Sequence, residues 1–219
     1  MEYSYRRLNP HDEKDVKKYL LLHDKLNKSL GAKASSLSPE QVKWLRIRMG
    51  ATELLAKPKA KEGEFKPKEN QMADEICYFC EENGNVIGYI YVLTYHIVDG
   101  KRPNDNAGVI SEIYVLPEHR NGEIAFQLTQ LGIATLLKAG NTSAIMNVQK
   151  DNPSRFFHFA LADKLICEEP CERENGDLTI DYQLMISDLK RAKAMSKVVL
   201  AKRASRIKKQ FSSDQTLSL

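Results

Sequence analysis

Long apolar runs are missing from this 219-residue chain, and none approaches the ~20 residues that a bilayer-spanning helix needs. The N-terminal MEYSYRRLNPHDEKD has no apolar core of a signal peptide, so the expected address is cytoplasmic and no membrane partner is expected. Cysteine is scarce, with four residues. Cys77 and Cys80 sit in ICYFCEE, which reads as a strand, and positions three apart on a strand point to opposite faces. No glycine between them offers the knuckle that a shared zinc would require, so no metal is expected and the thiols read as reduced. The single tryptophan, Trp44, is placed for packing. Internal repeats and low-complexity tracts are absent, which sets aside solenoid and fibrous architectures.

Negative charge is short at one end only. Asp188 to Leu219 holds nine Lys and Arg against two Asp, a net of +7, so the formal +4 of the whole leaves about −3 for Met1 to Ser187. This predicts a mildly acidic body, residues 1–189, followed by a basic helical tail, residues 190–219. Such a tail suits nucleic acid or an acidic partner, or is simply a solvated helix. Leu189, Ala192, Met195 and Val199 predict an apolar stripe along it that Arg203 interrupts.

Within the body, Tyr3 to Leu8 (YSYRRL) alternates as a strand does. Asp12 is the expected N-cap of an amphipathic helix with Val16, Tyr19, Leu20, Leu22 and Leu26 on its apolar face. Ser38-Pro39-Glu40 opens a second helix, with Val42, Leu45, Met49 and Leu54 inward. Lys57 to Gln71 (KPKAKEGEFKPKENQ) cannot offset the entropy of ordering by burial, and predicts a mobile loop able to wall a cleft. Glu75 to Glu82 and Val86 to Val98 read as strands joined by an Asn83-Gly84 hairpin turn. A turn-rich connector, Asp99 to Ala107, follows.

Ile110 to Leu128, ISEIYVLPEHRNGEIAFQL, changes period in the middle. It starts with β-branched and aromatic strand chemistry, which Pro117 stops because it has no N–H for a ladder. After a polar turn the period is helical, with Ile124, Leu128, Leu131 and Thr135 on one face and Gly140 as the stop. A strand that delivers a helix N-terminus through a tight turn aims free N–H groups at an anion, phosphate above all. Thr142 to Gln149 is a further strand, and Asn152 lies in the next turn. Arg155 to Asp163 is a short aromatic helix, with strands near Leu165 to Glu169 and Leu178 to Ile186. The order β-α-α-β-β-β-α-β-α-β-β plus a basic helix predicts an α+β fold around a mixed, mostly antiparallel sheet.

That order resembles the GNAT acyltransferases over about Tyr3 to Leu189. YRRLNPHDEKDVKKYL is similar to the family's first strand and helix, and GNVIGYIYV to its central hairpin. EIYVLPEHRNGEIAFQL resembles its acyl-CoA segment, a strand and then Pro-Glu-aromatic-Arg-x-x-Gly-x-Gly/Ala. The resemblance implies acetyl-CoA as cosubstrate and an amine as acceptor. It places the pantetheine arm along Ile113, Tyr114 and Val115, and the pyrophosphate in the turn Arg120, Asn121, Gly122, Glu123, Ile124, Ala125, with Asn152 beside the arm. Glu123 stands where the family has its first glycine, so the turn reads as degenerate, whereas Ala125 satisfies the second small position.

The implied chemistry needs a base for the amine and an acid for the thiolate. Glu112, on the strand just before the acyl site, is the candidate base. The family's tyrosine acid has no counterpart in RFFHFALAD; Phe159 falls at its place, and the adjacent His158 is the candidate acid. Two functions follow: an N-acetyltransferase, or a catalytically degenerate GNAT-fold binding or inhibitory module that contacts nucleic acid or an acidic partner through its tail. A homodimer is compatible with either.

Overall fold

The computed structural model describes residues 2–31, 37–51, 75–96, 106–120, 122–172 and 176–214. The expected loop from Lys57 to Gln71, nearly all of the Asp99 to Ala107 connector, and Asn121 lie outside the described residues. Seven strands, β1 (Tyr3–Arg7), β2 (Glu75–Glu82), β3 (Asn85–Leu93), β4 (Ala107–Val115), β5 (Ser143–Gln149), β6 (Lys164–Glu172) and β7 (Leu178–Ile186), form one sheet in the order β1-β2-β3-β4-β5-β7-β6. Every neighbouring pair is antiparallel except β4 with β5. The fold is therefore the expected mixed, mostly antiparallel α+β arrangement.

Helices α1 (Glu13–Ser29) and α2 (Pro39–Arg48) cover one face, where Tyr19, Leu22, Leu45, Phe79 and Tyr89 are buried together. The other face packs against α3 (Glu123–Lys138) and α4 (Arg155–Leu161) through Ile90, Ile110, Leu128, Ile133 and Met146. Cys77 joins the first cluster and Cys80 the second, as strand alternation requires. Asp12 caps α1 by accepting from the Lys14 N–H, and Ser38 and Gln41 form a capping box on α2. The Arg6 guanidinium then grips Asp15 at 2.6 and 2.8 Å and Glu81 at 2.8 Å, fixing α1 to β1 and β2. That clamp holds the Asp15 carboxyl below the usual carboxylate range.

Several boundaries differ from the sequence expectation. β3 ends at Leu93 rather than Val98, and β4 starts at Ala107 rather than near Ile110, because Ala107, Gly108 and Val109 find partners on β5. β6 runs on through Pro170 to Glu172, which an edge strand tolerates. The C-terminal region is two helices, α5 (Leu189–Ala194) and α6 (Lys197–Asp214), broken at Met195 and Ser196. The break rephases the apolar stripe: Leu189, Ala192 and Leu200 are buried, whereas Val199 is exposed. Arg203 does not interrupt the helix. It lies on the packed side, its guanidinium donating to the Ala162 carbonyl at 3.1 Å. α6 lies against α4, with the Phe211 ring 5.9 Å from Phe156 and 5.4 Å from Phe159. No described helix is long and apolar enough to cross a membrane.

Candidate active site

The site begins at a fork in the sheet. β4 and β5 are parallel partners through only three residue pairs, the last being Val109 with Ile145. Two positions further along, β4 carries a bulge. Val92 of β3 faces Ile110 and Tyr91 faces Glu112, so Ser111 is the extra residue. A bulge bends its strand, and the rest of β4 leaves β5 unpaired. A cleft of about 610 Å³ opens there. Ile113, Tyr114 and Val115 line one wall; Gln149, Asn152 and His158 line the other; Leu26 and Leu30 at the end of α1 close a third side.

At the end of β4 the chain turns through Pro117–His119, and the cleft reaches His119, Arg120, Gly122 and Ala125. The Arg120 side chain folds back, its Nε donating to the Val115 carbonyl at 2.9 Å and its guanidinium lying 5.6 Å from the Tyr114 ring centre. Gly122 is the N-cap of α3 at φ 81°, a left-handed conformation that glycine adopts without strain. It has no side chain with which to cap the helix. Ile124 is fully buried in the core and offers the turn only its backbone. Glu123 does not line the cleft. Its carboxylate takes an ion pair from Lys197 of α6 and a hydrogen bond from Gln127 at 3.1 Å, and these hold its carboxyl below the usual range.

Glu112 sits behind Tyr114 on the face covered by α1. The Tyr89 hydroxyl donates to its Oε2 at 2.5 Å, Tyr19 approaches at 3.4 Å, and His23 Nδ1 lies 3.1 Å away. Asn27 Nδ2 contacts His23 Nε2 at 3.1 Å, which gives a chain Glu112–His23–Asn27 rising along α1 toward Leu30. Burial, and then the Glu112 charge, push the Tyr19 and Tyr89 phenols above their ordinary value, so both remain donors to the carboxylate. On the same face the buried Glu75 carboxylate is held by Arg48 at 2.6 Å and by Tyr91 and Tyr95, the latter at 3.1 Å.

On α4, His158 lines the cleft, and its Nδ1 lies 3.0 Å from the Ser154 carbonyl. A carbonyl only accepts, so Nδ1 carries the hydrogen. Desolvation holds this imidazole below its ordinary value despite that bond, which leaves Nε2 with a lone pair rather than a proton near neutral pH. Phe159 packs edge-on against Tyr182 at 5.2 Å. Asn152 accepts from the Ser154 N–H at 2.9 Å and hydroxyl at 2.7 Å, shaping the entry to α4.

The structure thus gathers Ile113, Tyr114, Val115, Arg120, Gly122, Ala125, Asn152 and His158 around one cleft, and sets Glu112 just behind it. Sequence reading missed His23, Asn27 and Gln149. His23 lies among charged residues on an amphipathic helix, where nothing local marks it; only the approach of α1 to β4 does. Gln149 Oε1 is buried and has no hydrogen-bond partner among the described residues. Among those residues no group of three or more His, Cys, Asp or Glu could hold a metal ion.

The His23–Glu112 pair makes a testable pH dependence. The hydrogen bond to Glu112 favours the charged imidazole and raises its value above the ordinary one, outweighing burial. A raised folded-state value contributes stability fully below the unfolded value, about 6.5, and loses it as pH rises through the folded value. His23→Gln is therefore expected to cost ~1.5 kcal/mol at pH 5.5, the scale of one hydrogen bond to a charged group, and clearly less at pH 9. Urea denaturation at the two pH values measures the difference, and an equal loss at both would contradict the pairing.

The cleft thus combines strand edges left unpaired by the fork, the start of α3 at its mouth, and the Glu112 carboxylate behind it. The model of the Acetyltransferase (GNAT) family matches residues 44–158, more than half of the chain. The chain belongs to that family. Its fold is similar to the N-acetyltransferase from Staphylococcus aureus Mu50, with a TM-score of 0.60 at 16% identity, over 86% of this chain and 99% of that one. It is also similar to yncA from Salmonella typhimurium, assigned as an acetyltransferase and solved with its cofactor acetyl-CoA, with a TM-score of 0.59 at 15% identity, over 85% and 94%. An acetyltransferase of the GNAT family from Streptococcus pneumoniae gives 0.58 at 13% identity, over 84% and 98%. At these identities the likeness is one of fold. Compared with curated proteins by sequence, the chain has no significant match.

Proposed function

We propose that this protein is an acetyl-CoA-dependent N-acetyltransferase that acylates an amine. The observation that carries this reading is the fork between β4 and β5, with the N-terminus of α3 at its mouth and Glu112 behind it. The residues fit the cosubstrate. Unpaired edges of β4 and β5 suit an amide-bearing arm, the orphaned Gln149 Oε1 awaits a donor, and the first turn of α3 suits a diphosphate. Acetyl-CoA supplies an acetyl group activated as a thioester.

The chain's own part is to orient and to move protons. Glu112 accepts a proton from the acceptor ammonium, directly or through water, and His23 shares the charge through its 3.1 Å contact. Ile113, Tyr114 and Val115 orient the arm by their backbone, and Arg120 lies across the Val115 carbonyl at the exit. With His158 presenting a lone pair, the thiolate's proton comes from the attacking nitrogen by way of cleft water.

Acetyl-CoA at 100 times its dissociation constant is expected to stabilise the fold by about 2.7 kcal/mol, raising the melting temperature by roughly 5–10 °C. A melting curve unchanged at millimolar acetyl-CoA would sink the proposal. One observation favours the degenerate-module reading: Phe159 packs against Tyr182 and Phe211 and offers no hydroxyl. The solvent face of α6, with Lys202, Arg206 and Lys209, is the surface such a module would turn to nucleic acid or an acidic partner. Tight binding of acetyl-CoA without thiol release across a broad amine panel distinguishes the two.

A further inference from the structure

Glu123 replaces a glycine at the turn where a diphosphate is expected, and a carboxylate there opposes any anion that approaches the N-terminus of α3. The chain answers that charge from a distant element. Lys197, the first residue of α6, pairs its ammonium with Glu123 Oε2, and both side chains remain partly solvent-accessible, at 46% and 38%. Lys197 lies 74 positions beyond Glu123 and well outside the matched family segment, residues 44–158. It reaches α3 because α5 runs along that helix. The Gln130 amide donates to the Ala192 carbonyl at 3.4 Å, and Lys193 donates to the Gln130 carbonyl at 2.9 Å. At the same helix end Gly122 and Ala125 open onto the cleft.

We propose that Lys197 is a phosphate-binding residue of the acetyl-CoA site, supplied by α6 to offset the Glu123 charge at the turn. The proposal rests on the acetyl-CoA reading above. Before the ligand arrives, Lys197 neutralises Glu123. An ammonium has three donors and no fixed fork, so it can turn one to a phosphate oxygen while another keeps the carboxylate. Glu123 then acts as a positioning residue that holds the lysine at the mouth of the turn. On this view the basic composition of the tail serves the cosubstrate at one position at least.

Calorimetric titration of acetyl-CoA and of S-acetylpantetheine, the same thioester arm without phosphates, tests this in the full chain. Lys197→Ala should weaken acetyl-CoA binding about tenfold, the scale of one charge-assisted contact, and flatten its salt dependence. It should leave S-acetylpantetheine unchanged, and Lys197→Arg should restore most of the affinity. Unchanged acetyl-CoA binding in Lys197→Ala would show a surface ion pair only and overturn the proposal. Equal weakening of both ligands would overturn it too, since the effect would not come from the phosphates. Wild-type protein that binds neither ligand would overturn the acetyl-CoA reading itself, and this proposal with it.

Discussion

Replacing Glu112 with glutamine is expected to lower kcat roughly 100-fold to 10,000-fold, the range for removal of a general base, while leaving the affinity for acetyl-CoA unchanged. Glutamine keeps the shape of the side chain and one acceptor oxygen, so the Tyr89 hydroxyl, now 2.5 Å from the carboxylate, still has a partner. What is lost is the ability to take a proton from an ammonium, together with the charge that raises the His23 imidazole. The acid limb of the pH–rate profile should change along with the rate, because two coupled groups share that proton. Affinity should hold because Glu112 is not among the cleft-lining residues. Thiol release in the presence of the acceptor, beside calorimetric acetyl-CoA titration, reads both. A variant with wild-type kcat and a lowered melting temperature would make Glu112 a structural carboxylate, the centre of a buried hydrogen-bond cluster and nothing more.

Gly108→Val is expected to destabilise the fold by about 3 kcal/mol, at the upper end for overpacking, and to lower the melting temperature by roughly 6–12 °C. A Cβ at Gly108 would stand 2.6 Å from Leu136 Cδ2 and 2.9 Å from the Leu93 carbonyl. The leucine tip can move; the carbonyl belongs to β3 and cannot move without disturbing the sheet. Gly108 is also the middle of the three residues of β4 that pair with β5. Any shift there is transmitted to the point where the strands part, so acetyl-CoA affinity should fall with stability. Differential scanning calorimetry with and without ligand checks both. A valine variant that melts like the wild type would mean that the junction is looser than the distances imply.

Local chemistry made much of this molecule legible. The hairpin of β2 and β3, the capped starts of α1 and α2, and the change of period from β4 to α3 each depend on neighbours within a few residues. Those elements fall where the sequence puts them, and the element order is enough to suggest the family. What escaped reading depends on distant partners. β4 starts at Ala107 because β5 supplies partners for Ala107 and Gly108, which are weak strand formers alone. The tail reads as an appendage because charge dominates its composition; it packs because Leu200 is buried in the core and Phe211 meets Phe156 and Phe159 of α4. Glu123 looks like a defect until Lys197 is placed beside it. Likewise His23 is one charged residue among many until α1 docks across β4 and sets it against Glu112.

The three rungs between β4 and β5 also have a mechanical meaning. On one side stands the antiparallel block β1 to β4, on the other the block β5, β7 and β6, and those rungs lie at one end of their shared border. Few backbone bonds cross that seam, so the junction between the blocks depends largely on the shared core of Ile90, Ile110, Leu128 and Met146. In the reading proposed above, a ligand arm laid along both free edges bridges the two blocks where backbone rungs end. Binding of the arm and cohesion of the junction would then be linked, so a substitution at the seam and a change in the arm should be felt at the same place.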